Sequence, residues 1–209
     1  MIIANWKMNG SKDLIRTWIK KVSQNIVIDQ RKECIFCPPT CYLDFSKSII
    51  KQEINGIKLG AQQLDSELSA PLTGGIDSEM LFEIGCEFVI IGHSEQRIHT
   101  NETNELLSDK LQMAESNNLK SIFCIGETLQ EMKNNHTEKI LLKQLEALSI
   151  SALDQCIIAY EPVWAIGTGE NADISYIEEI HSLIKEEVSS KKSCKNISVV
   201  YGGSVNLDN

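Results

Sequence analysis

The chain has 209 residues, 42% hydrophobic and 23% charged, the balance of a soluble globular protein and not of a disordered chain, a fibre or a disulfide-stapled miniature. Twenty-nine acidic against 20 basic residues give a formal charge of −9 and a pI near 5.0. Such a surface repels phosphate backbones and anionic lipids, so neither nucleic acid nor membrane is expected as a partner. An anionic ligand must be caught by local donors. Seven cysteines are an odd number, so at least one thiol stays unpaired. With no apolar leader ahead of Asn5 and Lys7, a reducing, cytoplasmic compartment is expected. Apolar runs of four or five residues, as at 88–91, fall far short of the ~20 needed to span a bilayer.

Short apolar runs alternate with longer stretches of helical periodicity. Met1–Ala4 opens the series, and the following helical stretch carries Leu14, Ile15, Trp18, Ile19 and Val22 on one face. Glu33–Cys37 ends at Pro38-Pro39, where Thr40 is placed to cap the next helix. Ile57–Gln62 leads into a polar loop reaching Ile76, and Asp77 then opens a helix beginning at Ser78. Glu87–Gly92 precedes a helical segment over 101–117, and Lys120–Glu127 precedes one running to about Leu148. Cys156–Pro162 precedes a loop and a helix from Ser175 to about Val188. Asn196–Ser204 is the seventh run, and the sequence stops at Asn209.

Seven strand-like runs with six helical segments between them argue for βαβ units and a parallel sheet. No linker rich in Pro, Gly or Ser divides the chain, so one domain over 1–209 is expected. An open doubly wound sheet and a closed (β/α)8 barrel both fit. No GxGxxG follows the first run, and polar residues gather after many different strands: Asn5 and Lys7, His93 to Glu95, Glu127, Glu161, and Gly202 to Ser204. Sites built from the ends of several strands belong to the barrel, which is the expected fold. The loop 62–76, with Pro71, Gly74 and Gly75, is long enough to be functional or to form an interface.

Glu161 closes an apolar run and precedes Pro162, which holds the residue before it extended. A loop glutamate is ordinarily a solvated one. Here an apolar segment with glycines at 167 and 169 follows, the makeup of a lid on short hinges. Water exclusion under such a lid raises a carboxylate's basicity. A lone histidine is commonly structural, but His93 directly precedes a helix start at Ser94-Glu95. That position favours a neutral imidazole able to donate to a developing oxyanion. His99, His136 and His181 lie in helical or charged stretches and read as solvated surface. Lys7 is placed to project into the same mouth, and Gly202-Gly203-Ser204 offers backbone N–H groups of the kind that cradle phosphate. Cys34, Cys37 and Cys41 have the look of metal-ligand spacing. No second Cys/His pair follows at zinc spacing, and 34 and 37 fall on opposite faces of a strand, so no metal is expected.

NWKMNG (5–10), IGHSEQR (91–97), CIGET (124–128), YEPVWAIGTG (160–169) and YGGSVN (201–206) occur in that order. Together they closely resemble the triosephosphate isomerase family, from Asn5 to the last residues. The resemblance implies a TIM barrel that interconverts D-glyceraldehyde 3-phosphate and dihydroxyacetone phosphate in glycolysis and gluconeogenesis, as a cytoplasmic homodimer. It implies Glu161 as the base at the carbon next to the carbonyl, and His93 as the group that polarises that carbonyl and passes protons between the enediol(ate) oxygens, roles for which this family is the standard example. It further implies Lys7, with Asn5 beside it, as positive charge for phosphate and oxyanion. Gly167 and Ser204 are implied as N–H donors to the phosphate, Glu95 as an organiser of Lys7, and Cys124 as a packing residue. No metal or organic cofactor is implied, because proton transfer between adjacent carbons needs only a base, an electrophile and water exclusion.

Some positions depart from the family's pattern. Thr73-Gly74 is followed by Gly75 where the family has an acid, and Gln96 stands where it has an arginine. If those positions pair, both partners are replaced together and no orphan charge remains. The loop 62–76 still has the reach for a homodimer. Glu170 replaces a common lysine on the lid. A full barrel runs to ~250 residues, so a seventh helix, an eighth strand with a glycine pair and a last helix are expected to be missing here, with activity of these 209 residues well below a complete chain's. Two other readings stay open. One is a phosphosugar epimerase or synthase barrel sharing only the phosphate loop, which has no use for Lys7, His93 and Glu161 together. The other is an inert partial barrel.

Overall fold

Each apolar run of the sequence becomes a strand, and the six intervening segments become helices. The computed structural model describes residues 1–25, 33–53, 56–66, 71–167, 172–191 and 197–205. The chain divides into two units, one of residues 1–90 with 116–120, the other of 91–115 with 121–209.

In the first unit, β1 (Ile2–Asn5), β2 (Cys34–Cys37), β3 (Ile57–Ala61) and β4 (Phe88–Ile91) pair in sequence order, all parallel. Ile3 lies opposite Ile35, Phe36 opposite Leu59, and Gly60 opposite Phe88. The helix α1 (Lys12–Asn25) buries Ile15, Ile19 and Val22, three residues of the face expected from its periodicity. Trp6, Trp18 and Phe36 form an aromatic cluster with ring centroids 4.8 to 5.7 Å apart. Thr40 is not a cap: it lies inside a 3-10 turn, Thr40–Tyr42, entered from Pro39 without a side-chain cap. The two prolines hold the chain extended, and α2 (Leu43–Glu53) starts only after the turn. Asp77 does cap α3 (Ser78–Ile84), accepting from the Met80 N–H at 2.7 Å, and Gly85 ends it at φ 92.

In the second unit, β5 (Lys120–Ile125), β6 (Cys156–Tyr160) and β7 (Ser198–Tyr201) are again parallel, with Phe123 opposite Ile158 and Ala159 opposite Val200. β6 is buried along its whole length and β5 beyond its first residue, which is why their sequences are apolar runs without alternation. The helical segments differ from expectation in two places. The stretch 101–117 begins as a helix only at Asn104 (α5, Asn104–Ser116), and a short α4 (Ser94–His99) precedes it; Asn101, at φ 54, separates the two. The helix expected up to Leu148 is two helices, α6 (Leu129–Lys133) and α7 (Thr137–Leu145), parted at Asn135, whose φ is 56. Asparagine tolerates that left-handed backbone where most side chains resist it. Thr128 and Glu131 form a reciprocal capping box at the start of α6. The helix α8 (Ile174–Lys191) leads toward β7. Among the described residues no helix is long and apolar enough to cross a membrane. Residues 67–70 of the long loop, 168–171 of the expected lid (Gly169 and Glu170 with them), and 206–209 lie outside the described residues.

Candidate active site

Glu161 sits one residue past β6, with 8% of its surface exposed. Its N–H donates to Ile125 O at 2.7 Å, anchoring it against the end of β5. Its carboxylate is set from two sides: Cys124 donates Sγ–H to Oε1 at 3.3 Å, and His93 Nε2 lies 3.7 Å from Oε2. The position opposite must be glycine. A Cβ on Gly202 would stand 2.6 Å from Glu161 Cγ, closer than carbon atoms approach. Sequence reasoning gave Cys124 only a packing role. Burial and the neighbouring Glu161 push its thiol well above its ordinary value, so it remains a protonated donor.

His93 follows β4 and is the N-cap residue of α4, 7% exposed. Its ring takes the part an asparagine side chain usually plays: Nδ1 accepts from the Glu95 N–H at 3.2 Å. A nitrogen that accepts carries no proton, so the neutral ring holds its hydrogen on Nε2, the atom facing Glu161. The Glu95 carboxylate lies 3.6 Å from Nδ1.

Glu127, noted in the sequence only as a polar residue after a strand, is a fully buried carboxylate. Tyr160 Oη donates to both its oxygens at 3.1 and 3.2 Å, Trp164 Nε1 to Oε1 at 3.0 Å, and Tyr176 Oη to Oε1 at 3.4 Å. Burial raises its carboxyl above the ordinary glutamate value, and these donors oppose that shift. Trp164 lies in the 3-10 turn Val163–Ala165 that follows Glu161 and Pro162. One buried anion therefore ties the end of β6, this turn and the start of α8.

Gly167 and Ser204 come together. The Gly167 N–H donates to Ser204 Oγ at 3.2 Å, Ser204 Oγ donates to Ala165 O at 2.6 Å, and the Ser204 N–H donates to the same carbonyl at 3.1 Å. The two N–H groups expected to face a phosphate thus rest on protein acceptors in this structure.

Asn5 and Lys7 belong to the first unit. Asn5 Oδ1 accepts from the Lys7 N–H at 3.0 Å, while Gln62 Nε2 donates to Lys7 O and to Cys37 O, each at 2.9 Å. These bonds hold Lys7 at φ 49. A non-glycine residue kept in that region is over-determined by its surroundings, a condition that concentrates at functional sites. Nothing in the sequence singled out Gln62. The reading of His181 as solvated surface is corrected: it is half-buried edge-on to Tyr160, with centroids 6.3 Å apart, and burial lowers its pKa. His99 and His136 are exposed as expected.

A family model described as triosephosphate isomerase matches residues 1–209. Among curated proteins, the triosephosphate isomerase of Nitrosococcus oceani is 38% identical, that of Buchnera aphidicola subsp. Cinara cedri 39%, and that of Photorhabdus laumondii 37%. Each match covers all of this chain and 84 to 85% of the relative. With β/α alternation through seven strands and the whole length matched, the chain belongs to the triosephosphate isomerase family.

Proposed function

We propose that the chain interconverts D-glyceraldehyde 3-phosphate and dihydroxyacetone phosphate through an enediol(ate), with Glu161, His93 and Lys7 as its chemical groups. The observation that carries this reading is the buried pair of Glu161 Oε2 and His93 Nε2, 3.7 Å apart, with His93 Nδ1 already engaged by the Glu95 N–H. A carboxylate shielded from water takes the proton from the carbon next to the carbonyl. The Nε2–H of a neutral imidazole donates to the oxygen on which charge develops, then moves the proton between the two oxygens. Lys7, matching the family's motif, supplies positive charge to the phosphate and oxyanion beside Asn5. Gly167 and Ser204 exchange their bonds to Ser204 Oγ and Ala165 O for phosphate oxygens. No step calls on a metal or an organic cofactor.

A base that returns its proton after contact with solvent leaves a trace. Turnover of either triose phosphate in deuterated water should place deuterium in the product at the former carbonyl carbon, which receives the proton, and in recovered substrate at the carbon that lost it. Interconversion without incorporation, together with undiminished turnover by Glu161→Gln, would rule out a proton carried by Glu161.

The same resemblance supports a cytoplasmic enzyme of glycolysis and gluconeogenesis, acting as a homodimer through the loop 62–76. Asp65 pins the ends of that loop, accepting from the Ile76 N–H at 2.9 Å and donating its own N–H to Ile76 O at 2.8 Å, and Leu72 is 70% exposed beyond it. Sedimentation of the parent and of Leu72→Asp tests the dimer; a monomeric parent would remove it.

A further inference from the structure

Arg97, on α4, takes no part in the chemistry above. Its guanidinium offers five N–H donors in a rigid fork. Nε donates to Gly92 O at 2.8 Å, Nη2 to Cys124 O at 3.0 Å, and Nη1 to Asn104 Oδ1 at 3.3 Å. Two of these acceptors flank the site: Gly92 directly precedes His93, and Cys124 is the residue whose thiol holds Glu161 Oε1. The approach is close enough to constrain residue 92, where a Cβ would meet Arg97 Nη2 at 3.0 Å and where φ is +72.

None of these three acceptors carries charge. The two backbone carbonyls could be bridged by the two N–H donors of a neutral amide, and a half-buried cation without a direct carboxylate partner costs desolvation energy that such an amide avoids. Burial does push the guanidinium below its ordinary value, opposed by Cys124, Glu102 and Glu161. Glu102 is itself bonded to Lys110 at 2.6 Å. On its outer side Arg97 lines a cavity of about 770 Å³ with Glu105, Asp109, Glu131, Lys143 and Glu146. On its inner side it shares a cavity of about 170 Å³ with Glu161 and Cys124. His93 and Cys124 each come within 4 Å of the Glu161 carboxylate.

We propose that Arg97 is a positioning residue for the isomerisation: it fixes the chain ends that carry His93 and Cys124, and its charge, across the shared cavity, holds Glu161 ionised. The inference rests on the reading of Glu161 as the base.

The test compares Arg97→Gln and Arg97→Lys with the parent chain. The pH at which Glu161 takes up a proton is read by difference infrared spectroscopy, with Glu161→Gln identifying the band, and activity is assayed in parallel. Loss of the charge should move that pH up by about one unit and lower kcat more than it changes KM. Lysine keeps the charge but cannot form the fork, so it should leave the protonation pH in place while still lowering kcat. Arg97→Ala should regain activity with added guanidinium, which can enter from the outer cavity, and not with neutral urea. The infrared reading does not depend on turnover, so an inactive parent with a shifted band would count against the isomerase reading and not against Arg97. Variants that lower thermal stability yet leave the Glu161 band and kcat unmoved would make Arg97 purely structural and overturn the proposal. If Arg97→Gln fails to fold, a lysine variant with parental kcat overturns it equally.

Discussion

The indole of Trp164 donates to Glu127 Oε1 at 3.0 Å, and through that bond the turn after Glu161 hangs on a carboxylate with no exposed surface. Burial is the largest influence on Glu127 and raises its carboxyl above 4.5. Below that pH the folded and unfolded chains both carry the proton. As pH rises, the unfolded chain ionises first, so the fold loses stability until Glu127 ionises in place. Glu127→Gln has no such window. The thermal midpoint of the variant, taken relative to the parent, should therefore rise as pH increases upward from 4.5. A difference that stays constant with pH would show that Glu127 does not titrate differently in the fold.

Gly202→Ala should abolish most activity while leaving a folded chain. The added Cβ would press on Glu161 Cγ from 2.6 Å, so the side chain must move, and displacements of ~1 Å at a catalytic group cost on the order of 100-fold. Circular dichroism would report the fold and steady-state assay the loss. Parental kcat in a folded variant would mean Glu161 has room to spare.

Ser204→Ala removes the oxygen that accepts from the Gly167 N–H and donates to Ala165 O. The first of these bonds is given up when the Gly167 N–H turns to phosphate, whereas the second, worth ~1 kcal/mol, bears on the ordering of this loop in both states, so kcat/KM should fall by about fivefold. Ser204 is partly exposed, and the thermal midpoint should move little. A lower midpoint with unchanged kcat/KM would assign Ser204 to stability alone.

Thiol reactivity should separate the cysteines by burial. Cys41 is exposed, whereas Cys86 and Cys156 are buried and pushed up to about 12. Since the thiolate is the reactive form, a thiol reagent at pH 8 should modify Cys41 in the native protein and leave Cys86 and Cys156 untouched until denaturant is added. Rapid native labelling of Cys156, identified by peptide mass, would contradict the packing around β6.

The succession of strands and helices, the helix cap at Asp77 and the placement of Glu161 and His93 after their strands could all be read from the sequence, because each rests on neighbours within a few residues. The supports around them could not. Glu127 gathers Tyr160, Trp164 and Tyr176 from 33, 37 and 49 residues away, and a single Glu after an apolar run gives no sign of such partners. Cys124 reads as one more apolar strand residue until β5 and β6 pair and bring its sulfur to Glu161. Gln62 acts on Lys7 across 55 residues. The break at Asn135 had a local signal, consecutive asparagines at 134 and 135, which the surrounding helical periodicity masked. His181 has charged neighbours in sequence, while its ring packs on Tyr160.

The most direct measurement of the proton-transfer chemistry is Glu161→Asp, assayed in both directions. One methylene fewer withdraws the carboxylate by ~1 Å from the substrate carbon, and kcat should fall by roughly two orders of magnitude or more with little change in KM. His93→Gln should lower kcat likewise, because its hydrogen bond strengthens in the transition state. An aspartate variant within about threefold of the parent, against the roughly 100-fold cost of a ~1 Å displacement, would remove Glu161 from the role of base.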